Sequence, residues 1–179
     1  RGFFLNGRPY PLHGVSRHQD RKGLGNAITR EMHDEDMALI REIGATTLRL
    51  AHYQHDQYFY DLCDRNGLIV WAEIPYISKH MPNGRANTIS QMEELIEQNY
   101  NHASIVCWGV SNEITIATKD KQDMLDNHRL LNDMIHQTDP LHHAGVLRDV
   151  RPVQQGCAHH RRRQLEPVSG LVCAGAVPQ

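Results

Sequence analysis

Four strand-like segments alternate with four helix-like segments over residues 1–140, every strand ends in polar side chains, and no Gly-rich phosphate loop follows an early strand. Together these features predict an α/β fold with a parallel sheet and helices packed outside it: about the first four βα units of a (β/α)8 barrel. The expected domain boundary falls at residue 140, with an unrelated, irregular tail over 141–179. An open doubly wound sheet is the competing architecture. It would usually carry a phosphate-binding glycine motif, and "KGLGN" lacks the strand-turn-helix context of one. The polar strand ends favour the barrel, where C-terminal strand ends converge on the face that holds active sites. They are Arg17 and His18, His52 and Tyr53, Glu73, then Asn112 and Glu113.

The first strand is read in "YPLHGVSRH". In "TREMHDEDMALIREIG", Met37, Ile40 and Ile43 recur at helical spacing and Gly44 supplies a stop. "TTLRLAHY" is the second strand. The helix after it opens at Asp56, lines up Tyr58, Phe59, Leu62 and Cys63, and ends at Asn66-Gly67. "LIVWAEIP" is nearly continuous in apolar residues, as a strand buried on both faces should be. Thr88 and Gln91 form a capping-box pattern ahead of Met92, Leu95, Ile96 and Tyr100. "SIVCWGVSNE" is the fourth strand, and Met124, Leu125, Leu131 and Ile135 mark a fourth helix stopping near Asp139-Pro140.

The net charge of −2 and near-neutral pI argue against nucleic acid or an anionic membrane as the main partner. No apolar run is long enough to span a bilayer, and the start shows neither an initiator Met nor a signal-peptide pattern. The chain therefore reads as a piece of a longer protein whose compartment is not written here. Cys63, Cys107, Cys157 and Cys173 have neither the paired spacing of a zinc site nor the density of a disulfide scaffold. After Pro140 every Phe, Tyr, Trp and Met disappears and no apolar period remains. A disordered basic tail and a frame-shifted continuation both fit, and the abruptness of the change favours the second.

The stretch "WGVSNE" sets an amide and a carboxylate side by side at the end of an apolar strand. An Asn-Glu pair more often simply opens a loop, so its meaning depends on the other strand ends. In order, "LNGRPYPLHGVSRHQD", "LRLAHY", "LCDRNGLIVWAEIP" and "WGVSNE" resemble the first four barrel strands of glycoside hydrolase family 2, the β-galactosidases, β-glucuronidases and β-mannosidases. Each motif is weak alone; four in sequence are specific. The resemblance implies a TIM-barrel catalytic domain that cleaves terminal β-glycosides with retention. It makes Glu113 the general acid/base and Asn112 the partner of the sugar 2-hydroxyl. It places His52 and His18 in the sugar pocket, and Arg49 beside the nucleophile, where a guanidinium keeps a carboxylate ionised. Glu73 is a weaker candidate for a pocket carboxylate. Trp71 and Trp108, inside strands, read as packing.

The departures from the family pattern carry as much information. Retention needs a second carboxylate about 5–5.5 Å from the acid/base. The family supplies it near the seventh strand, beyond the four strands this resemblance covers. Where some β-galactosidases hold Mg²⁺ with a glutamate and a histidine after the third strand, this chain has Ile77 and Lys79. No metal and no cofactor is therefore expected. A β-galactoside or related oligosaccharide is the expected substrate, because "RLAHYQHDQYFYDLCDRNG" most resembles the bacterial β-galactosidases. The isolated chain, without its nucleophile, is expected to be inactive. Exposed edges of a half-barrel would also favour self-association. Two readings from other classes compete: a carbohydrate-binding module without chemistry, and a metal-dependent hydrolase suggested by the 13 histidines. The second lacks ligands at H-E-x-x-H-like spacing.

Overall fold

The computed structural model describes residues 3–140 and the backbone of 143–145. A two-stranded antiparallel hairpin, β1 (Phe4–Leu5) and β2 (Arg8–Pro9), comes first. Its turn residues Asn6 and Gly7 both have positive φ (51° and 75°), the geometry an Asn-Gly pair adopts most cheaply. The main sheet follows: β3 (Gly14–Arg17), β4 (Thr47–Leu50), β5 (Ile69–Glu73), β6 (Ile105–Gly109) and β7 (His143–Gly145). All pairings are parallel and neighbours lie in chain order. A doubly wound sheet reverses its strand order partway. This one does not.

Four helices alternate with the strands: α1 (Arg30–Glu42), α2 (Gln57–Asn66), α3 (Arg85–Asn99) and α4 (Lys121–Thr138). Asp56 caps α2 by accepting from the Tyr58 N–H at 2.8 Å, and Gly67 ends the helix in the left-handed region at φ 63°. Asp120 caps α4 through the Asp123 N–H at 3.0 Å. The capping box expected at Thr88 is not one. The chain enters α3 through a 3-10 turn at Pro82–Gly84, and Thr88 lies a turn inside the helix, its hydroxyl donating to the Arg85 carbonyl at 2.8 Å. Proline with its pre-set φ starts the turn, overriding the Thr-Gln pattern downstream.

A fifth strand follows the expected boundary at residue 140. Cys107, Trp108 and Gly109 pair in parallel register with His143, Ala144 and Gly145, which extends the sheet past the four predicted units. The remainder of the expected tail, residues 146–179, lies outside the described residues.

Strand parity divides the side chains into two sets. Leu48, Leu50, Val70, Ala72 and Trp108 belong to the hydrophobic core shared with Met37, Phe59, Met92, Leu95 and Leu131 of the helices. Arg49, Trp71, Glu73, Cys107 and Gly109 lie on the opposite parity, aligned across the sheet by the pairings Arg49–Trp71, Trp71–Cys107 and Glu73–Gly109. On that face Gly109 has no room for a side chain. An added Cβ would stand 2.6 Å from the Glu73 Cβ and closer still to the Trp71 indole nitrogen.

Candidate active site

The C-terminal ends of β4, β5 and β6 contribute polar side chains to a single cluster: Arg49 and His52, Glu73, and Asn112. Glu73 ends β5 and is fully buried. The Arg49 guanidinium donates to it from Nε at 3.2 Å and from Nη2 at 3.0 Å. Nη2 also donates to the Asn112 side-chain oxygen at 2.7 Å. His52 Nδ1 lies 2.6 Å from Glu73 Oε1. The same Nδ1 lies 2.9 Å from Arg49 Nη2, so one ring nitrogen meets both the carboxylate and the guanidinium. The His18 ring packs edge-on against His52 with centroids 5.0 Å apart, and the Tyr53 ring centroid lies 6.0 Å from that of His18.

Beyond β6, Asn112 is buried and its backbone is fixed on both sides. Its N–H donates to the Tyr76 carbonyl at 3.0 Å, and its carbonyl accepts from Ser78 N–H at 3.0 Å. Glu113 follows, exposed and with φ of 48°. For a residue with a Cβ that left-handed conformation costs about 1–2 kcal/mol, which the surrounding hydrogen bonds must offset. Non-glycine residues in such conformations cluster at functional sites.

The structure therefore joins His18, His52, Arg49 and Asn112 in one contiguous set, with Glu113 next along the chain. It places Glu73 at the centre of that set. In the sequence Glu73 is one carboxylate ending a buried strand; its parity with Arg49 was the available signal. Trp71 and Trp108 are both buried, Trp71 with no hydrogen-bond partner for its indole N–H among the described residues. Trp108 donates to Asp139 at 2.9 Å. A cleft of about 270 Å³ lies beside the cluster, lined by Tyr53, Gln54, Pro75, Gln91 and Glu94 among others, and shares no wall with the five candidate residues.

Arg17, although it too ends a strand, points the other way. It pairs in register with Leu50, on the helix-facing parity. Its Nε and Nη2 donate to Asp36 at 2.9 and 2.7 Å, and Nη1 and Nη2 meet Nδ1 of His55 and His33 at 3.1 and 3.0 Å. The guanidinium lies 3.7 Å over the Phe59 ring. A guanidinium cannot accept, so both Nδ1 atoms do and both imidazoles are neutral. Burial pushes the His55 pKa down to about 3, with the nearby Arg17 charge acting in the same direction.

Among the described residues, no group of three or more His, Cys, Asp or Glu could hold a metal ion, and no helix is long and apolar enough to cross a membrane.

A parallel sheet in sequential order, with polar side chains meeting at its C-terminal strand ends, defines a portion of a (β/α)8-barrel domain. The chain belongs to glycosyl hydrolases family 2, whose TIM barrel domain model matches residues 1–162. That match extends beyond the expected boundary at 140. A β-glucuronidase of Bacteroides fragilis is 43% identical over 152 residues, covering 78% of this chain and 21% of the relative. A β-galactosidase of Thermoanaerobacterium thermosulfurigenes is 31% identical over 150 residues, 82% of this chain and 20% of the relative. Among solved structures, an FMN-binding β-glucuronidase from Facaelibacterium prausnitzii L2-6 superposes with a TM-score of 0.77 at 48% identity, over 81% of this chain and 23% of that one. The chain thus spans about a fifth of the length of the relatives it matches.

Proposed function

We propose that this chain supplies the acid/base half of a retaining β-glycosidase site, with Glu113 as the proton donor to the leaving oxygen and Asn112 as the contact to the sugar 2-hydroxyl. The observation that carries the reading is the convergence of Arg49, His52, Glu73 and Asn112 at the strand ends of a family 2 barrel. Arg49 holds the Asn112 oxygen, so the Asn112 amide N–H₂ is left to donate to a sugar hydroxyl. A 2-hydroxyl contact that strengthens as the ring gains oxocarbenium character lowers the barrier to cleavage by several kcal/mol. His52 meets Glu73 and Arg49 through Nδ1, which leaves Nε2 for a second hydroxyl. His18 packs edge-on against the His52 ring. Glu73 is the buried counter-charge that sets Arg49 and His52.

A β-glucuronide is the substrate class we favour, since relatives named β-glucuronidase include the one matched at 43% identity and the solved structure at 48%. The β-galactoside expected from the sequence becomes the second reading, supported by the β-galactosidase relative at 31% identity. Both proceed through the same chemistry. The double displacement needs a nucleophilic carboxylate opposite Glu113, and the family resemblance draws it from a later strand. The 179-residue chain alone should therefore turn over neither glycoside at a useful rate. Its outer strands β3 and β7 each have one edge unpaired among the described residues, which supports self-association of this isolated chain.

The test is kinetic. In a complete barrel containing this chain, Glu113→Gln should lower kcat on an alkyl β-glucuronide by about 10²–10⁴, the usual worth of a positioned acid. An aryl glycoside, whose leaving group needs little protonation, should lose less in the glycosylation step. Unchanged kcat on the alkyl substrate would remove Glu113 from the role. Faster turnover of the matching β-galactoside would reverse the order of the two substrate classes.

A further inference from the structure

The segment that carries Asn112 and Glu113 is held from beneath by side chains outside the strand-end cluster. Ser111 is buried, and its hydroxyl lies 2.8 Å from Nε2 of His128 on α4. The other ring nitrogen, Nδ1, lies 2.8 Å from the Met124 carbonyl one helical turn earlier. A carbonyl can only accept. Nδ1 therefore carries the proton, and Nε2 accepts from the Ser111 hydroxyl. Burial lowers the His128 pKa and keeps the ring neutral, the form these two hydrogen bonds require.

Tyr76 closes the arrangement from the β5 side. Its ring lies 5.5 Å from the His128 ring at an interplanar angle of 36°. Its carbonyl accepts from Asn112, and its phenol meets Nδ1 of the buried His80 at 2.5 Å. His80 in turn contacts Asp123 of α4 through Nε2 at 2.6 Å. The turn is thereby tied to a helix and to the neighbouring loop. An apolar side chain at position 128 could fill the same space but would leave the Ser111 hydroxyl buried and unpaired.

We infer that His128, acting through Ser111, is a positioning residue for the Asn112–Glu113 turn: it fixes the backbone from which the Glu113 carboxyl projects. The catalytic meaning of this brace rests on the proposed role of Glu113, whereas its geometry does not. Without the brace, Glu113 is free to leave its left-handed conformation, and its carboxyl would no longer be presented at one place.

The experiment uses the 179-residue chain and reads amide hydrogen exchange by NMR. Ser111→Ala and His128→Leu should each speed exchange at Ser78, Asn112 and Ile116 about five- to tenfold, the ratio that one lost hydrogen bond produces. The sheet amide of Val70, bonded to the Ser104 carbonyl, should keep its wild-type rate. His128→Gln, whose side-chain oxygen can still accept from Ser111, should restore most of the protection. The wild-type imidazole ¹⁵N spectrum should show His128 protonated at Nδ1 and bare at Nε2, a signature that space filling alone would not select. The inference is overturned by unchanged exchange in Ser111→Ala, by uniform acceleration that includes Val70, or by a proton on Nε2. If His128→Leu does not fold, Ser111→Ala, which removes a single oxygen, decides. Should Glu113→Gln leave a complete enzyme fully active, the acid/base reading would fail while the exchange pattern still stood, so the two failures are separable.

Discussion

Two arginines lie at the C-terminal ends of neighbouring strands, Arg17 last in β3 and Arg49 next to last in β4, and each gathers a carboxylate and a histidine, yet they belong to different parts of the molecule. Arg17 is packed between β3 and α1–α2 with Asp36, His33 and His55, against the face of Phe59. Arg49 holds Glu73, His52 and Asn112 on the opposite face, with about a fifth of its side chain and of His52 open to solvent. Composition does not separate the two clusters. Parity does: Arg17 is in register with Leu50 and faces the helices, while Arg49 is one residue out of that phase. The Arg17 cluster spends its hydrogen bonds on itself and staples a helix to the sheet. In the Arg49 cluster the Asn112 amide and one His52 nitrogen remain to meet a ligand. An arginine with a carboxylate and a histidine thus yields a structural lock in one place and a candidate site in the other.

The largest expected effect tests the lock. Arg17→Met should cost about 3–5 kcal/mol, because it leaves a partly buried Asp36 and two buried imidazoles without their shared donor. Urea denaturation of the two variants gives the comparison directly. Arg49→Met should cost clearly less, since His52 still meets Glu73. Equal losses would erase the distinction.

Acid should weaken the lock next. His55 has a pKa of about 3 in the folded chain against about 6.5 when unfolded, so between those values the unfolded state binds a proton that the folded state refuses. Stability is complete above pH 6.5 and falls as the pH drops below it, by at most about 1.4 kcal/mol per pH unit for this histidine, levelling near pH 3. His128, also lowered by burial, adds in the same direction. Unfolding midpoints measured from pH 7.5 to 4 should show this slope, and His55→Gln should flatten it.

On the site face, Gly109→Ala should cost about 1–3 kcal/mol by forcing Trp71 and the Glu73 stem apart. The Trp71 fluorescence should shift with it; an unperturbed spectrum at full stability would show that the face is looser than the packing indicates. The smallest effect belongs to a position outside both clusters. Asp120→Ala removes the α4 cap and should cost about 1 kcal/mol, without altering either arginine's surroundings.

Much of this was readable before any coordinates, and what was not has physical causes. Asp56 and Gly67 announced both ends of α2 because a cap and a left-handed stop act locally. Thr88 misled because the same side chain serves as well inside a helix, donating to the Arg85 carbonyl, as at its start. Ile43 matched the helical period yet is exposed, since it falls at the C-terminal end of α1, past the last turn that packs on the sheet. The strand-end residues were found by pattern, but Arg17 was grouped with them, because position at a strand end says nothing of parity until the register is known. Glu73 was undervalued for the opposite reason. Its partners Arg49 and His52 lie 24 and 21 residues away along the chain, and only strand pairing brings them together. The fifth strand was missed because a strand of three residues, His143–Gly145, carries no alternation to detect.

The central claim is that sugar is bound by the Arg49 cluster and that the Arg17 cluster only holds the fold. The direct test is an NMR titration of the ¹⁵N-labelled chain with glucuronate, and with galactose in parallel. The account predicts saturable shifts at His18, His52, Asn112 and Glu113, with Arg17, His33 and His55 unmoved. Shifts centred on Arg17 and His55, or on Gln54, Gln91 and Glu94 around the neighbouring cleft, with His52 and Asn112 silent, would contradict it.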